Sequence, residues 1–582
     1  MAAGVLIGSG VFFLAAFFLY GKILRRVFSI DDKNPVPAQR MYDGIDFVPT
    51  RPVVVLGHHF SSIAGAGPIV GPIVAALAFG WAPALLWILL GAVFVGGVHD
   101  FGSLIASVRY RARSIPELCR TYISERSFRM FLVFIWLALV YVIVVFLDLT
   151  AKTFTKDAGV ALSSFLILAL AVLFGIGLMR AKVPFGLATG LALVGLAAAV
   201  GLGNSSSVVA SVAGVLPLEK IYPFFGGTHG FWRIALLVYC LFASVLPVWL
   251  VLQPRDFLSS FLLYASLIGG VAGLLAGGGS ISMSYPAFLG WTSTMTAAPG
   301  LLFPVLFITV ACGACSGFHC VVASGTTSKQ VEKESDTIRV GYGAMLLEGF
   351  LAVLSLLAAV TLGKAALTSA GQIRNPIAVY GDGMAVFLSK LGMSPELGRH
   401  LALLALSTFL LTTLDTCTRL ARFVFEEFFA MDRAKKSTRW IATLASVIPP
   451  AIIVFLPFRD AAGKLIPAWK AIWPVFGATN QLLAALALLA VATWLRRTGR
   501  NFWIAALPMA FMTTMTLWAL ILIIRQYGAM SLLGGVGILL VLLAVLLVVE
   551  AFRAFGLGEL DEAAVLAREG TVSFNPEGGR AC

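Results

Sequence analysis

The sequence predicts an all-α polytopic membrane protein, and two observations carry that prediction. Of its 582 residues, 59% are hydrophobic and only 12% are charged, and the mean hydropathy is +0.94, values foreign to soluble domains. Apolar runs of about 20 residues, the length of a membrane-spanning helix, recur about fifteen times. Helices are the expected form of these runs, because a helix satisfies its backbone hydrogen bonds internally.

The apolar runs are distributed over the whole chain. The predicted spans are 4–20, 53–79, 84–106, 129–148, 159–179, 184–203, 232–252, 257–277, 300–325, 341–363, 400–423, 440–457, 471–494, 501–524 and 529–552.

Charge placement predicts the side of the membrane on which each end lies. Most of the 42 Lys and Arg residues fall in loops that share one side when the N-terminus is outside, and basic loops stay in the cytoplasm. The C-terminus is then cytoplasmic, and the net charge of +14 reflects topology rather than a nucleic-acid partner. Lys22, Arg25 and Arg26 after the first run favour a retained helix over a cleaved signal peptide.

Common signatures of other function classes do not occur in the sequence. It contains no G-x-x-x-x-G-K-[ST], H-E-x-x-H or G-x-S-x-G, the patterns of P-loop ATPases, zinc proteases and serine hydrolases. The pair Cys312 and Cys315 fits small-residue packing better than a metal site, because a zinc site needs further ligands. Carriers, channels and less common intramembrane enzymes, which would use His58, His59 or His319 as base or metal ligand, remain. Of these we expect a carrier or a channel without enzymatic activity, metal or cofactor.

Residues 57–72, GHHFSSIAGAGPIVGP, place polar side chains and helix breakers inside an apolar span. In lipid, non-helical backbone persists only where it lines a cavity or is buried in protein, and secondary transporters build their sites at such breaks. A Pro-kinked packing helix is the alternative. A substrate site is favoured, and its predicted residues are His58, His59, Ser61, Ser62, Gly65, Ala66 and Gly67.

A second interrupted span is predicted five spans later, as an inverted repeat requires. Residues 239–257 carry Pro247 in mid-span and Gln253 at the inner end. The sequence thus predicts two inverted five-helix repeats with peripheral helices. The segments are an N-terminal helix and cytoplasmic linker (1–52), the first repeat (53–203), an extracellular loop (204–231), the second repeat (232–425), peripheral helices (426–552) and a cytoplasmic tail (553–582).

Two charged pairs inside apolar runs are candidates for gating. His99 and Asp100 are sequence neighbours, whose side chains should point in different directions on a helix. A proton path or inner gate is as well supported for them as interfacial capping. Asp415 and Arg419 lie four residues apart on one helix face and should pair, because an isolated charge in lipid is costly. A structural ion pair is as well supported there as a gating role.

Two further polar segments stand out in late spans. The run 300–325 ends in hydroxyl residues and contains His319. Asn480 and Gln481 lie in a span outside the predicted repeats, where hydrogen bonds between helices account for them.

A set of motifs carries a resemblance to a known family. The motifs, in order from about residue 40 to 500, are DGIDFVPT, GHHFSSIAGAGPIVGP, GGVHDF, ASVLPVWLVLQPRDF, SGFHCVVASGTTSKQ, LDTCTRLARF and WPVFGATNQLLA. As a set they resemble the carbon starvation protein A family of bacterial and archaeal inner-membrane carriers, implicated in uptake of pyruvate and of peptides under nutrient limitation. Its assignment to the amino acid–polyamine–cation superfamily implies a LeuT-like five-plus-five inverted repeat with discontinuous helices.

The resemblance implies a cation-coupled symporter for pyruvate or short peptides that works by alternating access. It implies a solute site near 58–67 and 247–253, with the hydroxyl-rich helix opposite the first break, where related folds hold a coupling cation. Protons compete with sodium for that role, because histidine titrates near neutral pH. The implied ion-coupling residues are His59, His319, Ser316, Ser324, Thr326 and Thr327. A passive channel and a non-transporting nutrient sensor are the alternatives, and a small accessory protein and the oligomeric state are left open.

Overall fold

The computed structural model of the chain describes residues 1–42, 47–215, 222–247, 250–295, 298–363, 367–369, 372–432, 435–459 and 463–556. Within these residues, 13 helices are long and apolar enough to cross a membrane, or up to 14 if one bent pair counts as a single span. The polytopic helical class is confirmed. The predicted run 300–325 forms two helices of 8 residues each, and most of the predicted tail lies outside the described residues.

The helices are numbered in chain order. They are α1 (Ala2–Val27), α2 (Pro37–Arg40), α3 (Pro52–Ile63), α4 (Gly67–Phe79), α5 (Trp81–Gly91), α6 (Gly97–Arg109), α7 (Ile115–Tyr122), α8 (Glu125–Lys156), α9 (Ala158–Met179), α10 (Phe185–Asn204), α11 (Ser206–Val215), α12 (Thr228–Val245), α13 (Leu252–Gly277), α14 (Leu302–Thr309), α15 (Phe318–Gly325), α16 (Gly343–Val360), α17 (Pro376–Ser389), α18 (Pro395–Phe428), α19 (Lys436–Phe455), α20 (Ala468–Arg497), α21 (Trp503–Tyr527) and α22 (Leu532–Phe555).

Short antiparallel hairpins lie in three of the connections. Their strands are β1 (Thr292–Met295) with β2 (Ala298–Leu301), β3 (Thr368–Ser369) with β4 (Gln372–Ile373), and β5 (Phe458–Arg459) with β6 (Leu465–Ile466).

The helices α3 and α4 form one span that is bent by 49° at its break. Ala64 leaves the helical region with a ψ of 62°, and the chain resumes at Gly67 with Pro68 in the first turn of α4. Proline has no amide to donate, so it fits the first turn of a helix and disfavours a continuous one. The interrupted span predicted at 57–72 is confirmed.

A second break lies between α14 and α15, at residues 310–317. Its sequence, VACGACSG, is made almost wholly of small residues, which let neighbouring backbones approach closely. At Pro247, where the sequence predicted this break, α12 has ended at Val245 and α13 begins at Leu252. Each of those helices is a candidate span by itself, so Pro247 joins two spans rather than interrupting one.

The two broken spans pack against each other in opposite directions. Helix α3 contacts α15, and α4 contacts α14, so the first half of each span meets the second half of the other. Later helices repeat this reciprocity: α8 packs along α18, α13 packs on α18 and α3, and α20 packs on α8 and α14. These contacts are those of the predicted inverted repeat of five spans. The second broken span begins at Leu302, and the limits of the two repeats, 53–203 and 232–425, stay a prediction.

The remaining helices surround the two sets. Helices α9 and α10 form a hairpin that packs on α13 and α18, α1 packs on α16, and α21 and α22 pack on α20. Large apolar side chains on their outer faces, such as Leu14, Phe18 and Leu191, are 61%, 61% and 63% exposed. Such faces are expected of helices that contact lipid.

Wide turns interrupt the second span of each set. A π-helical turn, Ala92–Gly96, joins α5 to α6, and another, Ile338–Tyr342, leads into α16. Such turns insert a residue into the helix and occur frequently at functional sites.

Candidate functional site

A cavity of about 10 Å³ lies between the two chain breaks, room for about one water molecule. Gly65 and Gly67 line it on the first break, and Cys312 lines it on the second. A Cβ atom on Gly67 would overlap the Cys312 side chain, so glycine is what permits this approach. Other lining residues come from α8, α15, α18 and α20, and are Val142, Phe146, Phe318, Thr413, Phe476 and Asn480.

The cavity wall is apolar apart from a few polar groups. The Thr413 hydroxyl is buried and has no hydrogen-bond partner among the described residues. Gly67 begins α4. Pro68 has no amide proton, and the Ile69 and Val70 amides donate to the Ala66 carbonyl, so the Gly67 amide is the one left to donate at this end of the helix. A buried site with free donors beside the positive end of a helix suits an anionic group.

Asn480 and Gln481 hold the second break in place. The Asn480 side chain accepts from the Phe318 amide at 3.0 Å and donates to the Ser316 hydroxyl at 3.1 Å. The Gln481 amide donates to the carbonyls of Phe307 and Ala311 at 3.1 and 3.2 Å. These bonds satisfy backbone that has left the helix, as buried polar groups require. The hydrogen bonds between helices predicted for this pair are confirmed, and they lie at the cavity.

The polar residues before the first break differ in whether their side chains bond to another helix or to their own. His59 is 0% exposed and its Nδ1 is hydrogen-bonded to the Thr327 hydroxyl at 2.9 Å. The Ser61 and Ser62 hydroxyls instead donate to the His58 carbonyl of their own helix, at 3.0 and 2.8 Å. Ala66 is fully buried.

The predicted substrate residues Pro247 and Gln253 are exposed. Both belong to the connection and first turn between α12 and α13, and neither lines the cavity at the breaks.

The hydroxyl residues of 316–328 do not converge on one point. Ser324 and Thr326 donate to carbonyls of their own helix, at 2.7 and 3.1 Å, whereas Ser316 faces Asn480. Thr327 reaches His59 across the helix interface. Sodium ligation by this set stays a prediction.

A cluster of buried acids and histidines lies directly after the second break. Asp100 bonds His99 Nδ1 through Oδ1 and His319 Nδ1 through Oδ2, each at 2.7 Å. His319 Nε2 lies 3.1 Å from Glu348 Oε2, and all four side chains are 0% exposed. The structure therefore brings His99 and Asp100 together, although neighbours on a helix were expected to point apart.

The predicted ion pair of Asp415 with Arg419 does not form. Asp415 pairs with Arg255 of α13, whose Nη2 lies 2.9 Å from Oδ1, and accepts from Tyr239 at 2.7 Å. Arg419 donates to the Ala243 and Leu246 carbonyls at the end of α12. The Arg255 guanidinium, which comes from another helix, contacts both carboxylate oxygens of Asp415. A helical spacing of four residues cannot predict such a partner.

Two groups of ionic contacts join segments that are far apart in the sequence. Arg109 Nε and Nη2 donate to the two Glu334 oxygens at 2.9 and 3.0 Å, and Glu334 also accepts from the Asp31 amide at 3.1 Å. Near the end of α8, Asp148 accepts from Arg233 at 2.5 Å and lies 2.8 Å from His229 Nε2.

Comparison with known proteins identifies the family of this chain. The profile of the family described as Carbon starvation protein CstA matches residues 1–373 and 364–519. The chain belongs to the carbon starvation protein CstA family. The predicted resemblance is thereby confirmed.

Relatives within the CstA family are named as transporters. The peptide transporter CstA of Escherichia coli (strain K12) is 31% identical over 89% of this chain and 80% of its own. The pyruvate/proton symporter BtsT of the same organism is 29% identical over 89% of this chain and 81% of its own. A solved structure of a Na+-coupled sialic acid symporter is 12% identical, with a TM-score of 0.43 over 97% of this chain and 99% of that chain.

Glu348 and Thr413 of this CstA-family chain were not among the predicted site residues. A signal existed for Glu348, since an acidic residue within an apolar run such as 341–363 is costly and is functional by default. No comparable signal existed for Thr413, because hydroxyl residues are common in packed helices.

Proposed function

We propose that the protein is a secondary active transporter that takes up a small carboxylate-bearing nutrient together with a proton, by alternating access. It would act in the bacterial or archaeal inner membrane with its N-terminus outside, under carbon starvation. It is not an enzyme in this proposal, and needs no metal or cofactor.

The observation that carries the proposal is the cavity at which both chain breaks meet. Gly67 brings the amide end of α4 to the cavity, and the Thr413 hydroxyl there has no hydrogen-bond partner in the part of the chain that the structure describes. Amide donors and the positive end of a helix dipole recognise a carboxylate. Pyruvate and the C-terminus of a short peptide both present that group, and relatives are named for each.

The size of the cavity supports alternating access. A volume of about 10 Å³ holds about one water molecule, so a carboxylate the size of pyruvate requires the helices around the breaks to move apart. A saturable carrier moves in this way, whereas a passive channel offers a continuous path.

Uptake of labelled pyruvate into proteoliposomes tests the proposal. With an inward proton gradient and no sodium, we expect saturable accumulation that stops when the gradient is collapsed. Liposomes without protein give the background rate.

The same vesicles distinguish the alternatives. Uptake that never exceeds equilibrium and does not saturate would indicate a channel, and accumulation that requires sodium would replace the proton as coupling ion. If no labelled pyruvate enters, labelled dialanine under the same gradients tests peptide transport. Binding of either compound without transport would indicate a nutrient sensor and refute the proposal.

A further inference from the structure

We propose that Glu348 is the residue that binds and releases the coupled proton, and that Asp100 and His319 position it. This inference rests on the proposed function, because it names the proton site of that transporter. The three side chains are in contact through His319, whose two ring nitrogens lie 2.7 Å from Asp100 and 3.1 Å from Glu348.

The hydrogen bonds of the cluster single out Glu348. Both oxygens of Asp100 are engaged by histidine nitrogens at 2.7 Å. Neither oxygen of Glu348 makes a hydrogen bond among the described residues, although Oε2 lies 3.1 Å from His319 Nε2. Buried carboxylate oxygens without donors are rare, and a proton on Glu348 would supply what these oxygens lack.

His319 connects the two carboxyl groups. Its Nδ1 bonds Asp100, and its Nε2 faces Glu348. The Nε2–H of a cationic His319 can donate to an oxygen of Glu348 both when that side chain is a carboxylate and when it is protonated. A proton from water on one side binds to Glu348 when the cluster opens to that side, and leaves to water on the other side, so no other reactant is needed.

Among the described residues, the ion-pair partner of Glu348 is His319, and those of Asp100 are His99 and His319. Helices α4 and α5, which pack on α16, carry no titratable side chain. The other elements that pack on α16, and the second break, carry titratable side chains that form no ion pair with Glu348 among the described residues. They are Tyr20, Lys22, Arg25, Arg26, His58, His59, His99, Arg109, Arg255, Asp256, Tyr264, Cys312, Cys315, Arg339, Tyr342, Tyr380 and Asp382.

Charge balance links the proton to the conformation. With Asp100 ionised, His319 cationic and Glu348 protonated, the three side chains are neutral together and can be buried. Loss of the proton leaves one uncompensated negative charge at 0% exposure, which is costly in a low-dielectric interior. The deprotonated cluster therefore favours conformations in which water reaches it.

The position of the cluster links the proton to the substrate. His319 follows Phe318 at the start of α15, and Phe318 lines the cavity with its amide held by Asn480. A movement of the second break that admits substrate therefore moves His319 relative to Glu348.

The test compares Glu348→Gln with the wild type in proteoliposomes. Glutamine keeps the shape of the side chain but cannot exchange a proton, so we expect no gradient-driven accumulation of labelled pyruvate. Counterflow, the exchange of labelled for unlabelled pyruvate without net proton movement, should be retained. The apparent affinity for pyruvate should tighten as the pH falls in the wild type and be independent of pH in Glu348→Gln.

Two further variants control the experiment. Glu396→Gln changes an exposed glutamate in the first turn of α18 and should behave as the wild type. Glu348→Asp keeps a titratable group and should restore part of the accumulation.

Each other outcome refutes the inference or its foundation. Gradient-driven accumulation by Glu348→Gln would overturn the inference and leave the proposed function intact. Loss of both counterflow and gradient-driven accumulation in Glu348→Gln would assign Glu348 a structural role. Absence of proton-driven uptake by the wild type would refute the proposed function itself.

Discussion

Asp415 is a buried carboxylate whose partners come from other helices. It is 0% exposed, with Arg255 and Tyr239 as its partners. Removing one member of a buried pair leaves the other charge uncompensated, at a cost of about 3–5 kcal/mol. The pair therefore fixes α13 to α18 as well as neutralising each charge.

Asp415→Ala should lower the free energy of unfolding by about 3–5 kcal/mol, because the buried Arg255 then loses the carboxylate that contacts both of its Nη atoms and, among the described residues, keeps only one carboxylate contact, with Asp256 at 3.1 Å. Denaturant unfolding in mixed micelles measures the change. Arg129→Ala is the control, since its pair with Glu125 is 69% and 44% exposed and such pairs contribute about 0–1 kcal/mol. Equal losses in the two variants would contradict the pairing.

Ion-pair partners on distant helices cannot be predicted from the spacing of residues along one helix. Four-residue spacing placed Asp415 and Arg419 on one helix face, but a closer partner came from a helix about 160 residues away. Such partners depend on which helices pack together, and periodicity contains no information about that. The cluster of Asp100, His319 and Glu348 spans three helices for the same reason.

At the scale of elements, the two breaks differ in how they are encoded. Pro68 and the glycines beside it interrupt α3/α4 by local chemistry, so the sequence predicts this break. The segment 310–317 contains no proline, and Asn480 and Gln481 of α20 satisfy its backbone. Its break depends on a tertiary contact, and this explains why the sequence placed the second break elsewhere.

The linker after α1 is a second element held by contacts from a distance. Glu334 accepts from Arg109 and from the Asp31 amide, the Ser335 amide donates to Asp32 at 2.8 Å, and Thr50 pairs with Val331. These contacts dock the linker on the connection between α15 and α16.

Glu334→Gln should loosen the linker, because a neutral amide holds Arg109 less strongly than a carboxylate does. Limited digestion with trypsin measures this, with faster cleavage after Lys33 expected in the variant. Lys333 is exposed on the same turn, and Lys333→Ala is the control that should leave the cleavage rate unchanged. An unchanged rate in Glu334→Gln would show that the other contacts suffice.

At the scale of the whole molecule, the inverted packing gathers both breaks around one cavity. Five-helix sets related in this way bring α3/α4, α8, α14/α15, α18 and α20 together. Composition predicted the class, and the pairing of two interrupted spans predicted two inverted halves. The second break lies at 310–317 rather than at Pro247, because its backbone is held by contacts with α20 that the order of apolar runs does not contain.

Opening of the whole bundle can be followed at Cys312, which lines the cavity and is 8% exposed. In a variant that retains only this cysteine, we expect slow reaction with a membrane-permeant maleimide, further slowed by saturating pyruvate. The control retains only Cys240, which is buried away from the cavity at 0% exposure, and its reaction should not depend on pyruvate. Pyruvate-independent labelling of Cys312 would contradict a substrate site there.

The two π-helical turns, Ala92–Gly96 and Ile338–Tyr342, have a consequence for the evolution of the chain. Asp100 follows the first turn and Glu348 follows the second on the same continuous helices. Each residue added to or removed from a helix rotates everything beyond it by about 100°. The direction in which each carboxyl group points therefore depends on the number of residues in the turn that precedes it. Deletion of a single residue from either turn would rotate the acid that follows away from His319, although every side chain of the cluster would still be present.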